Sequence, residues 1–147
     1  MQLDETDWQI LQTLQQEGRL SFSELGRRVG LSSPAATERV RKLEDAGIIT
    51  GYCAQVNAEV LGLPLKAFIQ LTTTPDRYPP AIATMEALPE ILRSYHVTGD
   101  SSFVIEAIAS SMSHLEAIIN KLSQYGQTST SIVLSNPVFK NRIEPSH

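Results

Sequence analysis

The charged residues between positions 27 and 42 are the ones whose types and spacing could recognise a nucleic acid. This segment has five basic residues and one acidic residue, a net charge of +4, in a chain whose formal charge is -4. Lysine and arginine neutralise DNA phosphates, and a local excess of them directs binding to one surface. The segment therefore predicts an acidic protein with one basic edge, a surface suited to a nucleic acid. These charged residues are Arg27, Arg28, Glu38, Arg39, Arg41 and Lys42.

Residues suited to other chemistry are few and scattered. The single cysteine, Cys53, excludes an intramolecular disulfide and a multi-cysteine zinc site, and His96, His114 and His147 lie far apart. No Ser/His/Asp, Cys/His or paired-carboxylate arrangement can be assembled, and no glycine-rich phosphate loop is present. We therefore expect no metal, no cofactor and no enzymatic activity, with a small enzyme as the competing class. No apolar stretch approaches the ~18 residues that span a bilayer, which predicts a cytoplasmic protein without a membrane partner.

Three short helices are expected to position the basic segment. Capping residues and apolar residues at helical spacing predict helices over 4–17, 21–30 and 33–47. Ser33 is the predicted N-cap of the third helix. The β-prone residues 48–52 then predict a short strand or wing. Three helices followed by a wing indicate a winged helix-turn-helix, whose third helix enters the DNA major groove.

The outward face of the third helix carries the candidate contacts. At about 100° per residue, its apolar residues fall on one side and face the other two helices. We predict that Thr37, Glu38 and Arg41 read base edges. Arg39 lies nearer the apolar side, so its head is expected to reach outward from a packed stem. Phosphate contacts are assigned near the start of this helix and the end of the second: Arg27, Arg28, Ser32, Ser33, Arg39 and Lys42.

The C-terminal part of the chain alternates strand and helix patterns. A helix is predicted to end before Pro89, and another to begin at the capping box Ser113–Glu116. The element order is βαββαβ, which indicates a ferredoxin-like sandwich with helices on one face of an antiparallel sheet. The predicted strands cover 65–71, 91–97, 103–109 and 128–134.

The two patterns together predict an α+β protein with two domains. The winged helix-turn-helix is expected to occupy 1–52, and the ferredoxin-like domain 65–147. The segment 53–64 connects them, because it contains Gly62 and Pro64 and shows little periodicity.

Residues 30–49, GLSSPAATERVRKLEDAGII, resemble the recognition-helix signature of the leucine-responsive regulatory protein and AsnC (Lrp/AsnC) family of transcription regulators. Leu3 and Asp4, followed by Asp7, resemble the start of the family's first helix. The segments 97–100 (VTGD) and 128–130 (TST) resemble its sensing-domain turn and last strand. The resemblance covers nearly the whole chain.

This resemblance implies a sequence-specific regulator that binds a pseudopalindromic operator. It also implies that the second domain senses a ligand and pairs two subunits through their sheets, with dimers forming octamers or other rings. An amino acid would bind between subunits, with Asp100 pairing with its ammonium group. By position, the implied effector contacts are Thr98, Gly99, Asp100, Ser101, Ser102, Thr128 and Thr130.

Several alternatives remain open at this level. Ser101 and Ser102 stand where many family members have an aromatic and a second acidic residue, which changes the effector or removes it. Gly99 and Asp100 also suit a plain hairpin turn, and Glu38 with Lys42 suits an ordinary solvated helix face. An effector-independent architectural DNA-binding protein is the alternative function.

Overall fold

The computed structural model describes residues 1–146, which form two compact units. The first unit consists of 1–55 together with 138–146, and the second is Val56–Pro137. The change of unit falls within the predicted connecting segment. The last residues lie in the first unit, although the sequence-based division assigned them to the second domain. The physical reason is a pair of hydrogen bonds in which the Gln15 side chain accepts from the N–H of Ile143 (2.6 Å) and donates to its carbonyl (3.1 Å).

Three helices build the first unit: α1 (Glu5–Gln16), α2 (Phe22–Val29) and α3 (Ser33–Asp45). Asp4 and Asp7 form the capping box of α1, in which each side chain accepts from the other residue's N–H at 2.8 and 3.1 Å. The three helices share one apolar core, and burial of these side chains supplies the main stabilisation. The fully or nearly fully buried core residues are Ile10, Leu11, Leu25, Val40 and Leu43.

Two local details of this unit differ from the prediction. The N-cap of α3 is Ser32, whose hydroxyl accepts from the N–H of Ala35, so Ser33 is already helical. No strand forms over the described residues 48–52. There the N–H groups of Ile48 and Ile49 both donate to the Leu43 carbonyl at 2.9 and 3.1 Å, so they close the end of α3 and are unavailable to a strand partner.

The second unit is a four-stranded antiparallel sheet. Two helices, α4 (Tyr78–Ala87) and α5 (Met112–Ser123), connect its strands in the predicted βαββαβ order. The ferredoxin-like prediction is therefore confirmed. The strands are β1 (Leu65–Thr72), β2 (Ile91–His96), β3 (Phe103–Ala109) and β4 (Gln127–Ile132). Their order across the sheet is β2-β3-β1-β4.

Alternation along β1 defines the two faces of this sheet. Ala67, Ile69 and Leu71 are almost completely buried on one face together with the apolar residues of α4 and α5. The intervening residues point to the opposite face and are exposed. The N-cap of α5 is Ser111 and not the predicted Ser113, because Ser111 is the residue whose hydroxyl accepts from the N–H of His114. Within residues 1–146, no helix is long and apolar enough to cross a membrane.

Candidate functional site

The outer face of α3 exposes two of the candidate base contacts and leaves a third half-buried. Ala36, Val40 and Leu43 are buried, so the opposite side of the helix faces away from the core. Glu38 and Arg41 are exposed there, whereas Thr37 is half-buried and donates its hydroxyl proton to the Ser33 carbonyl at 2.8 Å. Thr37 therefore keeps acceptor capacity for a donor on a base edge.

Arg41 and Lys42 differ in how they are paired. Lys42 Nζ lies 3.5 Å from Glu38 Oε1, and both side chains are well exposed, so this pair contributes little and exchanges readily. Arg41 makes no ion pair with any of the residues from 1 to 146. Its guanidinium is therefore available to a ligand without the loss of an existing contact.

Arg39 holds a different position from the one expected. Its Nη1 lies 2.6 Å from Asp4 Oδ2 and 2.9 Å from Asp7 Oδ1. The hydrogen bond from the guanidinium also lowers the pKa of Asp4 below its ordinary value. The expectation that the head of Arg39 reaches outward is wrong, because the nearly buried carboxylate of Asp7 requires a cationic partner. Arg39 thus joins the middle of α3 to the start of α1.

The two arginines of α2 are paired with carboxylates. Arg27 donates from Nε and Nη2 to the two oxygens of Glu24 at 2.9 and 2.7 Å. Arg28 donates to Glu24 at 3.0 Å and to both oxygens of Glu17 at 2.9 and 3.2 Å. These contacts lower the pKa of Glu24 to about 2. The local charge of +4 is therefore offset by carboxylates that lie outside the 27–42 segment.

The start of α3 keeps features that suit a phosphate. Ser32 uses its hydroxyl to accept from the Ala35 N–H, and Ser33 is exposed next to it. The first turn of α3 contains no acidic residue, so no side-chain charge within that turn opposes the positive end of the helix dipole.

The turn between β2 and β3 exposes the first residues of the implied effector site. Gly99 has a φ of +106°, which favours glycine, and it places Thr98 and Asp100 on the surface. The Asp100 carbonyl accepts from Thr72 Oγ1 at 3.2 Å, while the Asp100 carboxylate has no ion pair within residues 1–146. Ser101 Oγ lies 3.3 Å from Gln70 Oε1, to which it donates. The turn thus offers a carboxylate that is free to accept an ammonium group.

Ser102 anchors this turn and is not available as the resemblance implies. It is buried, and its hydroxyl donates to the Thr73 carbonyl and accepts from the Thr73 N–H, both at 3.0 Å. Because its only proton is committed to the backbone, Ser102 cannot donate to a ligand without releasing the turn.

Thr128 and Thr130 lie on β4, on the far side of β1 from the turn. They pair with Leu71 and Ile69, whose side chains are fully buried, so both threonines point to the helix-covered face. Two strand spacings, roughly 10 Å, separate β4 from β3. Within one chain, Thr128 and Thr130 therefore do not meet the exposed residues of the turn.

A Ser/His/Glu arrangement that the sequence analysis did not find does occur. His114 Nδ1 lies 3.0 Å from Ser110 Oγ, and His114 Nε2 lies 2.9 Å from Glu90 Oε1. The N–H of Ser110 also donates to His114 Nδ1 at 3.1 Å. Since His114 is the third residue of α5, the arrangement closes a helix start in the way that a capping box does. The Ser-Ser-x-x-His spacing is the signal that would have indicated it.

Among residues 1–146, no group of three or more His, Cys, Asp or Glu residues could hold a metal ion. His147, one of the three histidines considered in the sequence, lies outside the described residues.

Comparison with known proteins agrees with both units. A family model described as winged helix-turn-helix DNA-binding matches residues 3–50, and one described as Lrp/AsnC ligand binding domain matches residues 66–143. The HTH-type transcriptional regulator LrpC of Bacillus subtilis is 38% identical over 141 residues, which cover 96% of this chain and 98% of that protein. The regulatory protein AsnC of Escherichia coli K12 is 34% identical over 143 residues, which cover 94% of each chain.

Solved structures give the same assignment. The structure of B. subtilis LrpC matches with a TM-score of 0.91 and 37% identity, covering 95% of this chain and 100% of that chain. The Neisseria meningitidis regulator NMB0573, solved as a complex with L-Met, matches with a TM-score of 0.90 and 32% identity, covering 97% and 96%. The chain described here therefore belongs to the Lrp/AsnC family of DNA-binding transcriptional regulators.

Proposed function

We propose that this regulator binds a pseudopalindromic operator as a homodimer or a larger ring of dimers. The observation that carries the proposal is the outer face of α3, where Arg41 is exposed and makes no ion pair within residues 1–146, while Arg39 fixes the helix to α1. A rigid helix with a free arginine suits bidentate recognition of guanine in the major groove. Two such helices in a dimer would address half-sites about 34 to 36 Å apart or a multiple of that distance.

The remaining contacts divide by chemistry. Thr37 and Glu38 lie beside Arg41 and are proposed to read neighbouring bases. The phosphates would be bound by residues at the end of α2 and around the start of α3, where the helix dipole adds to the attraction. These are Arg27, Arg28, Ser32, Ser33 and Lys42.

The face of the sheet opposite the helices supports pairing of two subunits. Phe68 is 36% exposed and Tyr95 is 51% exposed on this face, although both are large aromatic residues. Between them, the nearly buried Glu106 is held by Lys66 at 3.1 Å and by Arg93 at 3.5 Å. Uncovered aromatic surface around a compensated charge is typical of a surface that another chain covers.

We propose that an amino acid binds between subunits and modulates DNA binding. Asp100 would accept the ammonium group, and Thr98, Gly99 and Ser101 would surround it. Thr128 and Thr130 lie across β1 from this turn on the edge strand β4, so we propose that they complete the site of a neighbouring subunit along that edge and not through the open face of the sheet. The L-Met complex of NMB0573 supports a ligand of this class. The ligand would change DNA binding only if its affinity differs between two oligomeric assemblies, or between two spacings of the recognition helices.

We also propose that the protein is a cytoplasmic regulator without enzymatic activity or a cofactor, because its relatives are named as transcriptional regulators.

Selection of binding sites from a random duplex library tests the operator proposal directly. We expect enrichment of a two-fold symmetric sequence, and footprints on two half-sites separated by whole helical turns. The ratio of operator affinity to random-duplex affinity at fixed salt is expected to reach at least about a thousandfold. Enrichment of no sequence, with a ratio near one, would instead identify an architectural DNA-binding protein.

A further inference from the structure

The guanidinium groups of α2 are held in the geometry that they would use for phosphate. Arg27 donates to both oxygens of the Glu24 carboxylate, at 2.9 and 2.7 Å. Arg28 forms a second such fork with the Glu17 carboxylate, at 2.9 and 3.2 Å. Fork-to-fork pairing of this kind is how arginine binds both carboxylates and phosphates. The two glutamates therefore occupy the donors that a DNA backbone would need.

Glu24 joins the two forks into one network. Its Oε1 accepts from Arg27 Nη2 at 2.7 Å and also from Arg28 Nε at 3.0 Å. Two carboxylates thus face two guanidinium groups, and their formal charges cancel. We call Glu17 and Glu24 the acidic clamp. The low pKa of Glu24, about 2, keeps that carboxylate charged at every pH where the protein is expected to work.

The acidic clamp acts on α2 and leaves α3 free. Arg41 has no ion pair within residues 1–146, and Lys42 is loosely paired with Glu38. In the free protein, the unit therefore presents unpaired positive charge on the recognition helix and neutralised charge on the helix before it.

We propose that Glu17 and Glu24 are specificity-determining residues, which hold the α2 arginines away from DNA until α3 is seated in its operator. This rests on the proposed function only in that α2 and α3 bind DNA. Non-specific complexes have few base contacts and depend on phosphate neutralisation in many orientations. When Arg27 and Arg28 are paired with Glu24 and Glu17, the protein loses the non-specific binding orientations that depend on these two arginines. In the operator complex, base contacts already hold the protein in one orientation. Binding there costs only the exchange of two ion pairs, in which a phosphate replaces the carboxylate partner of each arginine.

The strength of the clamp suits such an exchange. The Glu17 side chain is 54% exposed and the Glu24 side chain 33% exposed, and exposed ion pairs are weak. A phosphate can therefore displace either carboxylate, whereas a fully buried pair would resist exchange. Glu24→Gln keeps the Ser21 cap of α2 but removes the acidic residue of its first turn, so the folding of each variant is checked separately.

The test measures binding of a random-sequence duplex and of a selected operator by fluorescence anisotropy between 50 and 200 mM KCl. The variants are Glu17→Gln, Glu24→Gln and the double variant. Glu116→Gln is the matched control, because Glu116 is exposed on α5 and the substitution changes the net charge equally. Each clamp variant should bind the random duplex about two- to fivefold more tightly than the control, as expected for loss of an exposed pair.

Two further readouts separate the proposal from a general charge effect. The slope of log affinity against log salt should steepen by about 0.9 for each arginine that is released onto a phosphate. The ratio of operator to random-duplex affinity should fall in the clamp variants and stay unchanged in Glu116→Gln. Adding Arg27→Gln and Arg28→Gln to the double variant should remove the increase in random-duplex affinity.

The proposal is overturned if Glu17→Gln and Glu24→Gln match Glu116→Gln in random-duplex affinity and salt slope, or if they bind more weakly while remaining folded. Folding is checked by the fluorescence of Trp8, the single tryptophan, which packs against the core of the first unit. Failure of the operator proposal is a separate outcome: the wild-type protein would then show no sequence preference, yet the random-duplex comparison would still decide the role of the clamp.

Discussion

Arg39 Nη1 lies 2.9 Å from Asp7 Oδ1, and this contact makes one arginine of the recognition helix a structural residue. The same Asp7 carboxylate accepts from the N–H of Asp4 at the start of α1. A single carboxylate therefore caps one helix and fixes the position of another. Arg39 thus orients the recognition helix, although a count of basic residues would assign its charge to DNA binding.

Replacing Arg39 should destabilise the first unit. Arg39→Ala leaves the nearly buried Asp7 without its cation, and we expect the free energy of unfolding to fall by about 1–3 kcal/mol. Urea unfolding followed by Trp8 fluorescence measures this. Arg27→Ala is the control, because the Arg27 side chain is 72% exposed and pairs with the partly exposed Glu24, so its loss should cost clearly less. Equal effects of the two variants would contradict the structural role of Arg39.

Stability of the first unit should fall as the pH drops below about 4.5. The pKa values of Glu24 and Asp4 are lowered in the folded protein, Glu24 from 4.5 to about 2. A carboxyl group with a lowered pKa contributes stability above its unfolded pKa, and this contribution is lost as the pH falls through the folded value. Thermal unfolding between pH 6 and pH 2.5 should therefore show a decreasing Tm, and Glu24→Gln should flatten that decrease. An unchanged profile in Glu24→Gln would refute the assignment.

Gly26 sets how closely α2 approaches the turn before α3. A Cβ at this position would lie 2.5 Å from the Leu31 carbonyl oxygen, which is backbone and cannot move alone. Gly26→Ala should therefore destabilise the first unit and weaken operator binding, although alanine is the better helix former. Ser23→Ala on the same helix is exposed and should leave both quantities nearly unchanged. A stabilised Gly26→Ala protein would mean that the two segments are farther apart than described.

In the turn after β2, one residue anchors the backbone and a different residue is proposed to bind the ligand. Ser102→Ala removes both hydrogen bonds to Thr73, and we expect a loss of about 1–3 kcal/mol in the free energy of unfolding. Asp100→Asn should leave stability unchanged, because the Asp100 carboxylate has no partner within residues 1–146, and should abolish any thermal shift by amino acids. A ligand-dependent shift that survives Asp100→Asn would place the ammonium group elsewhere.

Local patterns predicted most of the fold. Alternation in 65–71 predicted β1, and the capping signals placed the three N-terminal helices to within one or two residues. Errors occurred where two neighbouring residues were equally good caps, as with Ser32 and Ser33. The missing strand at 48–52 has a similar cause, because β-propensity there competes with backbone donors that α3 already uses.

The candidate site was less predictable, since its contacts join distant parts of the chain. Spacing along a helix indicates Arg27 with Glu24, but it cannot indicate Arg28 with Glu17, 11 residues apart, or Arg39 with Asp4, 35 residues apart. The Gln15 contact with Ile143 spans 128 residues. Such contacts depend on how the helices and the tail pack, and periodicity carries no information about them.

Operator binding by Arg41→Ala tests the central claim most directly. Arg41 is exposed and unpaired within residues 1–146, so its removal should not change stability. We expect operator affinity to fall about fivefold to 150-fold, equivalent to about 1–3 kcal/mol for a bidentate base contact, with random-duplex affinity nearly unchanged. An equal loss on both duplexes would make Arg41 a phosphate contact, and no loss on either would contradict the assignment of α3 as the recognition helix.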